Sequence, residues 1–249
     1  LILSASALML LLMLAGMGGA SANTYFDTTN EVSGVWNEAG STYYVNETLY
    51  VPADSTLTIG PNVTVWFAPD AGIVVNGTLV VEGNATYKVI FDSLPVVDDA
   101  EGAWMGLSFN AGSVGSIDHA SINNTLETLR VIDSELAVTN TVITNTIKAV
   151  NAEFEAGGSL TIDNCIIDAQ SGPGASIAVL LFGFADGEYK NVTAVDIAIT
   201  NNVVKSTNSQ GLLEISKNVK AKDNGIATLI GDILVSGNEF NQLSSGDNL

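Results

Sequence analysis

The sequence predicts an all-β protein whose short strands wind as a parallel β-helix, a solenoid, behind an N-terminal signal helix. Three observations predict this fold: apolar runs of strand length, turn residues between them, and a recurring unit that contains an Asn. The composition agrees, because only 14% of the 249 residues are charged whereas 47% are hydrophobic. A surface built from Asn, Thr, Ser and Gly suits strands and turns better than helices.

The strand signals are clearest in the first half of the chain. Residues 43–51, 56–67, 73–81 and 88–92 are alternating or continuous runs of β-branched and aromatic residues, bounded by Gly, Pro, Asn or Asp. The segment 124–138 comes nearest to a helical period. We therefore expect strands throughout the chain, with one short helix or turn in that segment.

A repeated unit follows in the second half of the chain. Each copy has apolar positions, then an Asn, and then another apolar position, and clear copies begin at Leu160, Ile197 and Leu234. We interpret each copy as part of one turn of a coil, in which inward side chains stack on those of the neighbouring turns. An Asn at a corner can adopt the left-handed conformation and hydrogen-bond from turn to turn. A β-sandwich is the alternative fold, but Asn76-Gly77 is the one strong hairpin signal.

A longer pattern runs from Ser33 to about residue 110. The residues that carry it are Trp36, Tyr43, Val51, Pro52, Leu57, Thr58, Ile59, Pro61, Val63, Val65, Phe67, Val75, Asn76, Gly77, Thr78, Leu79, Gly83, Ile90, Phe91 and Trp104. This pattern resembles the opening turns of right-handed parallel β-helix repeat proteins of archaeal and bacterial cell surfaces, which have the pectate-lyase-like superfamily fold. One departure is Asn62, where the family usually has Gly, although Asn tolerates a positive φ.

The resemblance implies a right-handed coil over residues 23–249 and a place on the cell surface. Related β-helices include polysaccharide lyases and hydrolases, so the fold alone does not choose a function. The sequence stops at Leu249 without a clear capping segment, and we expect the β-helix to be truncated there.

The first residues indicate export. Residues 1–22 contain a short apolar run and end in Ala20-Ser21-Ala22, a small-residue cleavage pattern, so we expect a signal peptide that is cleaved before Asn23. A membrane anchor is the alternative, but the run is shorter than the roughly 20 residues that a spanning helix needs. We therefore expect an extracellular or cell-surface location and no membrane span in the mature chain.

N-glycosylation is a second expectation of an extracellular address. Six Asn-x-Thr acceptor sites occur in the sequence, and four of them are crowded between residues 46 and 86. An Asn- and Thr-rich chain also produces such tripeptides by chance. The candidate acceptors are Asn46, Asn62, Asn76, Asn84, Asn123 and Asn191.

The charge is strongly one-sided, with 27 acidic residues against 8 basic ones and a formal net charge of −19. This excess argues against nucleic acid, anionic membranes and polyanionic substrates as partners. No cofactor is expected, and Ca²⁺ is the one candidate ion; its candidate ligands are Asp98, Asp99 and Glu101 because carboxylate oxygens suit a hard cation. No full Ca²⁺ loop motif is present, so the sequence favours a solvated acidic loop without an ion over this site.

Catalytic groups are scarce. Arg130 is the sole Arg, and a solvated surface charge explains it better than a lyase base. The single His119 cannot form a His-based metal site, and the single Cys165 is best explained as a buried, inert thiol. The same shortage argues against a copper-insertion role. A β-helix hydrolase would need paired carboxylates, for which the candidates are Asp118, Asp133, Asp163, Asp168 and Asp196.

We therefore expect a structural or adhesive surface protein that is not an enzyme. Its expected partners are cell-surface components or extracellular glycans. The alternative is a carbohydrate-binding or polysaccharide-degrading β-helix, which would line an outer groove with aromatic and carboxylate side chains. The aromatics to test for that alternative are Trp36, Trp66 and Trp104.

Overall fold

The computed structural model describes residues 23–94, 103–170, 174–186, 188–189, 195–206, 211–221 and 231–242. These residues form an all-β structure, in which a single 3₁₀ turn, Glu38–Gly40, accompanies 24 strands. Almost every strand pair is parallel; the antiparallel pair within these ranges joins β18 to the two-residue strand β19 (Glu188–Tyr189). The predicted signal segment 1–22 and the acidic residues Asp98, Asp99 and Glu101 lie outside the described residues.

The strands fall into three columns, each a stack of hydrogen-bonded parallel strands. The first column contains β1 (Thr24–Phe26), β4 (Tyr43–Val45), β7 (Thr64–Phe67), β10 (Val89–Ser93), the first parts of β13 (Ala120–Ile132) and β15 (Val142–Phe154), β17 (Ile166–Ala169), β21 (Val203–Ser206) and β24 (Glu239–Gln242). The second contains β2 (Asn30–Glu31), β5 (Leu49–Val51), β8 (Gly72–Val75), β11 (Gly106–Phe109), the second parts of β13 and β15, β18 (Ile177–Asp186) and β22 (Leu213–Ala221). The third contains β3 (Gly34–Trp36), β6 (Thr56–Ile59), β9 (Thr78–Glu82), β12 (Val114–Asp118), β14 (Glu135–Thr139), β16 (Gly158–Asp163), β20 (Val195–Thr200) and β23 (Ile233–Ser236).

The chain passes through the first, second and third columns in the same order on every turn. Residues that face each other on consecutive turns are as few as 19 positions apart, as for Thr24 and Tyr43, or as many as 37 apart, as for Ile166 and Val203. The extra residues are placed between strands, so the strand register is preserved. This arrangement of parallel strands is compatible with a β-helix.

The core is a set of inward rows that run through the stack. In the third column, Ile59, Val81, Ile117, Val138, Ile162 and Ile199 face one another on consecutive turns, and each is at most 1% exposed. Burying each such side chain removes it from water and stabilises the fold by about 1.5–3 kcal/mol before entropy costs. Alternation along each strand therefore specifies which residues stack.

Aromatic rings pack within this core between the first and second columns. The indole of Trp104 stacks on the ring of Phe67 with centroids 4.0 Å apart and planes within 5°. Its Nε1–H donates to the carbonyl of Asn123 at 2.8 Å, which satisfies the polar atom of a fully buried ring. Trp104 is thus a core residue of the turn that contains β11.

Of the short helix or turn expected in segment 124–138, the helix is wrong, because β13 and β14 occupy that region, and the chain bends between them at Asp133, which has φ of 43°. The burial along β13 repeats every three residues at Ile122, Thr125 and Thr128, which mimics a helical period. The cause is a corner: Asn124 has φ of 60°, and the strand bends there from the first column into the second. Asn62, the departure from the family pattern, also has a positive φ of 63°.

Gly106 provides a direct test of the close stacking between turns. Its φ is +95°, and a Cβ atom there would overlap the carbonyl oxygen of Glu127 on the next turn. We predict that Gly106→Ala lowers the free energy of unfolding by more than about 3 kcal/mol, because a backbone clash adds to the left-handed cost. Gly112→Ala is the matched control, since Gly112 has φ of +79° and open space around it. That control should lose about 1–2 kcal/mol in urea titrations, and equal losses for both variants would contradict the close contact.

Candidate functional site

The corner between the third and first columns collects most of the polar residues singled out in the sequence. His119, Asn140, Asn164 and Asn201 occupy the same corner position on consecutive turns, with φ between 50° and 56°. Asn adopts this left-handed conformation at low cost because its side chain bonds nearby backbone groups. The repeated Asn of the sequence therefore marks this corner.

An outer ladder of hydrogen bonds runs along this corner. Asn164 donates through Nδ2 to Oδ1 of Asn140 at 2.7 Å, and Asn140 donates to Asp118 at 2.7 Å. Asn201 donates in the same way to Asp163 at 2.8 Å. The ladder links each turn to the next through side chains, in addition to the backbone bonds of the strands.

Two of the candidate catalytic carboxylates, Asp118 and Asp163, are acceptors in this ladder. Asp163 also accepts from the hydroxyl of Thr200 at 2.6 Å, and Asp118 accepts from the hydroxyl of Thr139 at 2.7 Å. Hydrogen bonds from Thr200 and Asn201 lower the pKa of Asp163 below its usual range. For Asp118, partial burial raises the pKa, but the hydrogen bonds from its corner neighbours outweigh this effect, and the pKa is lowered.

The geometry of this pair can be compared with that of a hydrolase. Thr139 lies between Asp118 and Asp163 in the strand register, so the two backbones are two strand spacings, roughly 10 Å, apart. Inverting hydrolases use a similar carboxyl separation, but one of their carboxyls must stay protonated through a raised pKa. Both carboxyls here shift the opposite way, and each is held by ladder donors. Both carboxyl groups therefore stabilise the corner between the third and first columns.

The remaining candidate carboxylates lie elsewhere. Asp133 accepts from the backbone N–H groups of Glu155 and Ala156 at 2.6 and 2.8 Å, between the second and third columns. Asp196 accepts from the N–H of Asp232 at 3.0 Å in the third column. Asp168 lies opposite Lys205 on the outer side of the first column. The structure thus distributes these three carboxylates over different parts of the stack.

The other singled-out residues are also accounted for. His119 Nδ1 lies 2.9 Å from Oδ2 of Asp118, and this contact is one of those that lower the pKa of the Asp118 carboxyl. Arg130 is 45% exposed and lies 3.9 Å from Glu127 on the surface. Cys165 is buried, and this burial raises the pKa of its thiol to about 11, which keeps it protonated and inert.

An inner ladder lies directly beside the outer one, one residue further along each turn. The N–H of Ala120 donates to Oγ1 of Thr141 at 3.2 Å, and the N–H of Cys165 donates to Oδ1 of Asn202 at 2.8 Å. The N–H of Asn202 donates in turn to Oδ1 of Asn238 at 2.9 Å. Sequence reasoning missed this ladder. Its signal was a second polar residue, after the corner residue, in the turns that contain Thr141 and Asn202.

A groove of about 350 Å³ lies at the corner between the second and third columns. Its lining includes Ser113 and Ser134, whose buried hydroxyls have no hydrogen-bond partner in the described part of the chain. Of its two carboxylates, Asp133 is engaged by backbone N–H groups, which leaves Glu135. The groove therefore lacks the second free carboxylate that glycoside hydrolysis requires.

The three tryptophans do not line one surface. Trp36 and Trp104 are buried, whereas Trp66 lies on the outer side of the first column. There it follows Tyr44 and Tyr25 in the strand register, and the rings of Tyr25 and Tyr44 stack with centroids 4.7 Å apart. We call Tyr25, Tyr44 and Trp66 the outer aromatic row. The two tyrosines were missed because their alignment appears only once the strand register is known.

The outer aromatic row ends beside a carboxylate. Asp92 lies opposite Trp66 on the next turn, and its Oδ1 accepts from Asn124 at 2.6 Å. An aromatic ring beside an acceptor oxygen is a combination that can contact the apolar face and the hydroxyl groups of a sugar. Among the described residues, the outer aromatic row with Asp92 has the chemistry of a binding surface.

The structure places the five glycosylation candidates within its described ranges at different depths. Asn84 and Asn76 are exposed, and their side-chain oxygens accept from Tyr87 and Asn110 respectively. Of the other candidates within the described ranges, Asn46 donates to Asp27 and Asn62 donates to Glu38. Asn123 is half-buried within β13. Asn191 lies outside the described residues.

Within the described ranges, no group of three or more His, Cys, Asp or Glu residues is arranged to hold a metal ion. The Ca²⁺ candidates lie outside those ranges, so Ca²⁺ binding stays a prediction. Nor do the described ranges contain a helix of the length and apolarity that crossing a membrane requires.

Comparison with known proteins finds no matching family model, no matching curated protein and no matching solved structure. The class of protein is therefore defined by the described residues alone. It is an all-β protein of stacked parallel strands, with ladder-bonded corners and an outer aromatic row.

Asn202 tests whether the inner ladder is structural. Its Oδ1 accepts the buried N–H of Cys165, and its Nδ2 donates to the carbonyl of Ile162 at 2.9 Å. We predict that Asn202→Leu lowers the free energy of unfolding by about 2–4 kcal/mol, because both backbone groups lose their partner in the interior. The matched control is Asn201→Gly, which keeps the left-handed corner and loses an exposed bond, and should cost less than about 1 kcal/mol. Urea titrations measure both, and a larger loss in the control would exclude the inner ladder as the stronger element.

Proposed function

We propose that the chain is a right-handed parallel β-helix of the pectate-lyase-like type, exported to the cell surface, where it has a structural or adhesive role. The observation that carries the proposal is that the carboxylates of the corner between the third and first columns act as hydrogen-bond acceptors within the fold. Asp118 and Asp163 are fixed as ionised acceptors in the outer ladder, and a catalytic acid needs a raised pKa. The fixed column order and the resemblance over residues 33–110 support the handed coil.

Export is supported by the apolar run and the small-residue pattern of residues 1–22. Within the described residues, β1 starts at Thr24, after the proposed cleavage site between Ala22 and Asn23. A cleaved signal peptide would therefore release a chain whose first residues enter the stack. The chain has one cysteine and cannot form an internal disulfide, so an exported form would depend on its strands and ladders for stability.

Expression in a secreting, glycosylating host tests the proposal. We expect the protein in the medium or on the cell surface, with Asn23 as its N-terminal residue by sequencing. Peptide mass spectra should show glycans at Asn84 and Asn76 in preference to Asn123, because exposed amide groups are accessible to the transferase. Asn84→Gln should remove the mass of one glycan, and the matched Asn123→Gln should leave the mass of the glycoprotein nearly unchanged. An intracellular chain with an intact N-terminus would overturn the export proposal.

Carbohydrate binding is the second candidate function, and the outer aromatic row favours it. Tyr25 and Tyr44 cover each other's ring faces, whereas Trp66 has no stacked ring among the described aromatics and lies opposite Asp92. Sugar binding would therefore centre on Trp66, with Asp92 as a hydroxyl acceptor. The negative net charge restricts the ligand to neutral or cationic glycans.

Affinity electrophoresis in gels that contain neutral polysaccharides measures this binding. We expect retardation of the wild type and a loss of about tenfold in affinity for Trp66→Ala. The matched control is Tyr87→Ala, since Tyr87 is 54% exposed but lies outside the row. Equal effects of the two variants would eliminate the row as a glycan site. Release of reducing ends from the same polysaccharides would instead support the degrading alternative.

A further inference from the structure

The groove at the corner between the second and third columns crosses three consecutive turns. Its walls are residues 111–114, 133–135 and 156–158, and its volume is about 350 Å³. Small-molecule sites in proteins measure roughly 300–1,000 Å³, so this groove has room for a ligand at the lower end of that range, such as a monosaccharide. The outer aromatic row lies on the first column, so the groove is a separate surface of the molecule.

Small residues keep the groove open. Ala111, Gly112, Ala156 and Gly157 line it without any long side chain. A Cβ atom at Gly112 would have no neighbour within 4 Å, so the space beside this residue is empty. At the same corner one turn earlier, a Cβ atom at Gly77 would overlap backbone carbonyl oxygens. The open space therefore belongs to these three turns and is not a general property of the corner.

Two buried hydroxyls border this space without a hydrogen-bond partner. Ser113 and Ser134 occupy the same corner position on consecutive turns, and each is 1% exposed. Neither hydroxyl has a partner in the part of the chain that the structure describes. A buried hydroxyl that makes no hydrogen bond costs free energy. Because a serine side chain has a single χ angle, a change of rotamer turns the hydroxyl toward the groove, where a ligand can supply the partner.

The groove also carries negative charge. Glu135 is an exposed carboxylate, whereas Oδ1 of Asp133 already accepts two backbone N–H groups at 2.6 and 2.8 Å. None of the described residues that line the groove is basic. The formal net charge of the chain is −19, so an anionic ligand would be repelled. One free carboxylate beside two hydroxyls matches a ligand that has one positive charge and several hydroxyl groups.

We propose that this groove binds a small amino sugar in its ammonium form. The carboxylate of Glu135 pairs with the ammonium group, and the hydroxyls of Ser113 and Ser134 pair with hydroxyls of the sugar ring. A neutral sugar would leave Glu135 without its charge partner. A Ca²⁺ ion fits less well, because it takes about six to eight oxygen ligands and the groove offers four oxygen-bearing side chains. The proposal does not rest on glycan binding at Trp66.

Titration of the ¹⁵N-labelled full chain with D-glucosamine, followed by NMR at about 0.05 M NaCl, tests the proposal. We expect saturable shifts of the amides of Ser113, Ser134 and Gly157, with a Kd of about 1–10 mM. Glucose and N-acetylglucosamine have the same ring without the charge, and they should bind at least about tenfold more weakly. Equal binding of the three sugars, shifts that do not saturate, or no shift at these amides would overturn the proposal.

A pair of charge variants tests the position of the site. Glu135→Gln should weaken glucosamine binding by at least about tenfold, whereas the matched control Glu82→Gln should bind as the wild type does. Glu82 is likewise exposed in the third column, but it lies at the end of its strand, whereas Glu135 lies at the start. Equal effects of the two variants would refute the groove as the site.

Ser113→Ala adds a readout that a merely structural serine would not give. We expect weaker glucosamine binding together with an unchanged or higher urea midpoint of the ligand-free protein, because the substitution removes a buried hydroxyl that has no partner. A lower midpoint with unchanged binding would mean that the hydroxyl has a structural partner, and the proposal would fail.

Discussion

The structure depends on the in-register stacking of equivalent residues on consecutive turns. Backbone hydrogen bonds join each strand to the same column above and below, and the register decides which side chains meet. Because side chains alternate along a strand, a slip by one residue would turn every inward Val or Ile outward. The row from Ile59 to Ile199 is continuous over six turns, and this continuity opposes such a slip, since each turn would lose its contacts on both sides.

The corner ladders supply hydrogen-bond partners to the backbone where the strands end. Where the chain leaves a column, backbone groups lose their strand partners, and an unpaired buried group costs about 1–3 kcal/mol. The inner ladder pairs these groups with Thr141, Asn202 and Asn238, while the outer ladder fixes Asp118 and Asp163. The carboxylates that were candidates for catalysis at this corner therefore stabilise the fold. Recognition by this molecule has to use outward rows and the groove between the second and third columns.

Strand texture and the left-handed Asn corners could be predicted from the sequence because each depends on local pattern, and parallel strand pairing could be predicted from the repeated unit. Asn164 and Asn201 show this, since spacing alone identified their corner position. Features that depend on register could not be predicted. Tyr25 and Tyr44 are 19 positions apart and meet only because one turn has that length. Segment 124–138 came nearest to a helical period in the sequence, but a bent strand that crosses a corner also buries residues three positions apart, as at Thr125 and Thr128.

The strand register also determines how such a chain could recognise a partner. A stack repeats its outward positions at the strand spacing of roughly 4.8 Å, so a partner that lies along the column meets similar groups at regular intervals. Along the first column these groups change from Tyr25, Tyr44 and Trp66 to Asp92, and later to Asp168 and Lys205. Each single contact is weak, but their sum grows with the number of turns engaged. An extended partner gains from this addition, whereas a small substrate does not. This addition along the column is what the proposed adhesive role would use.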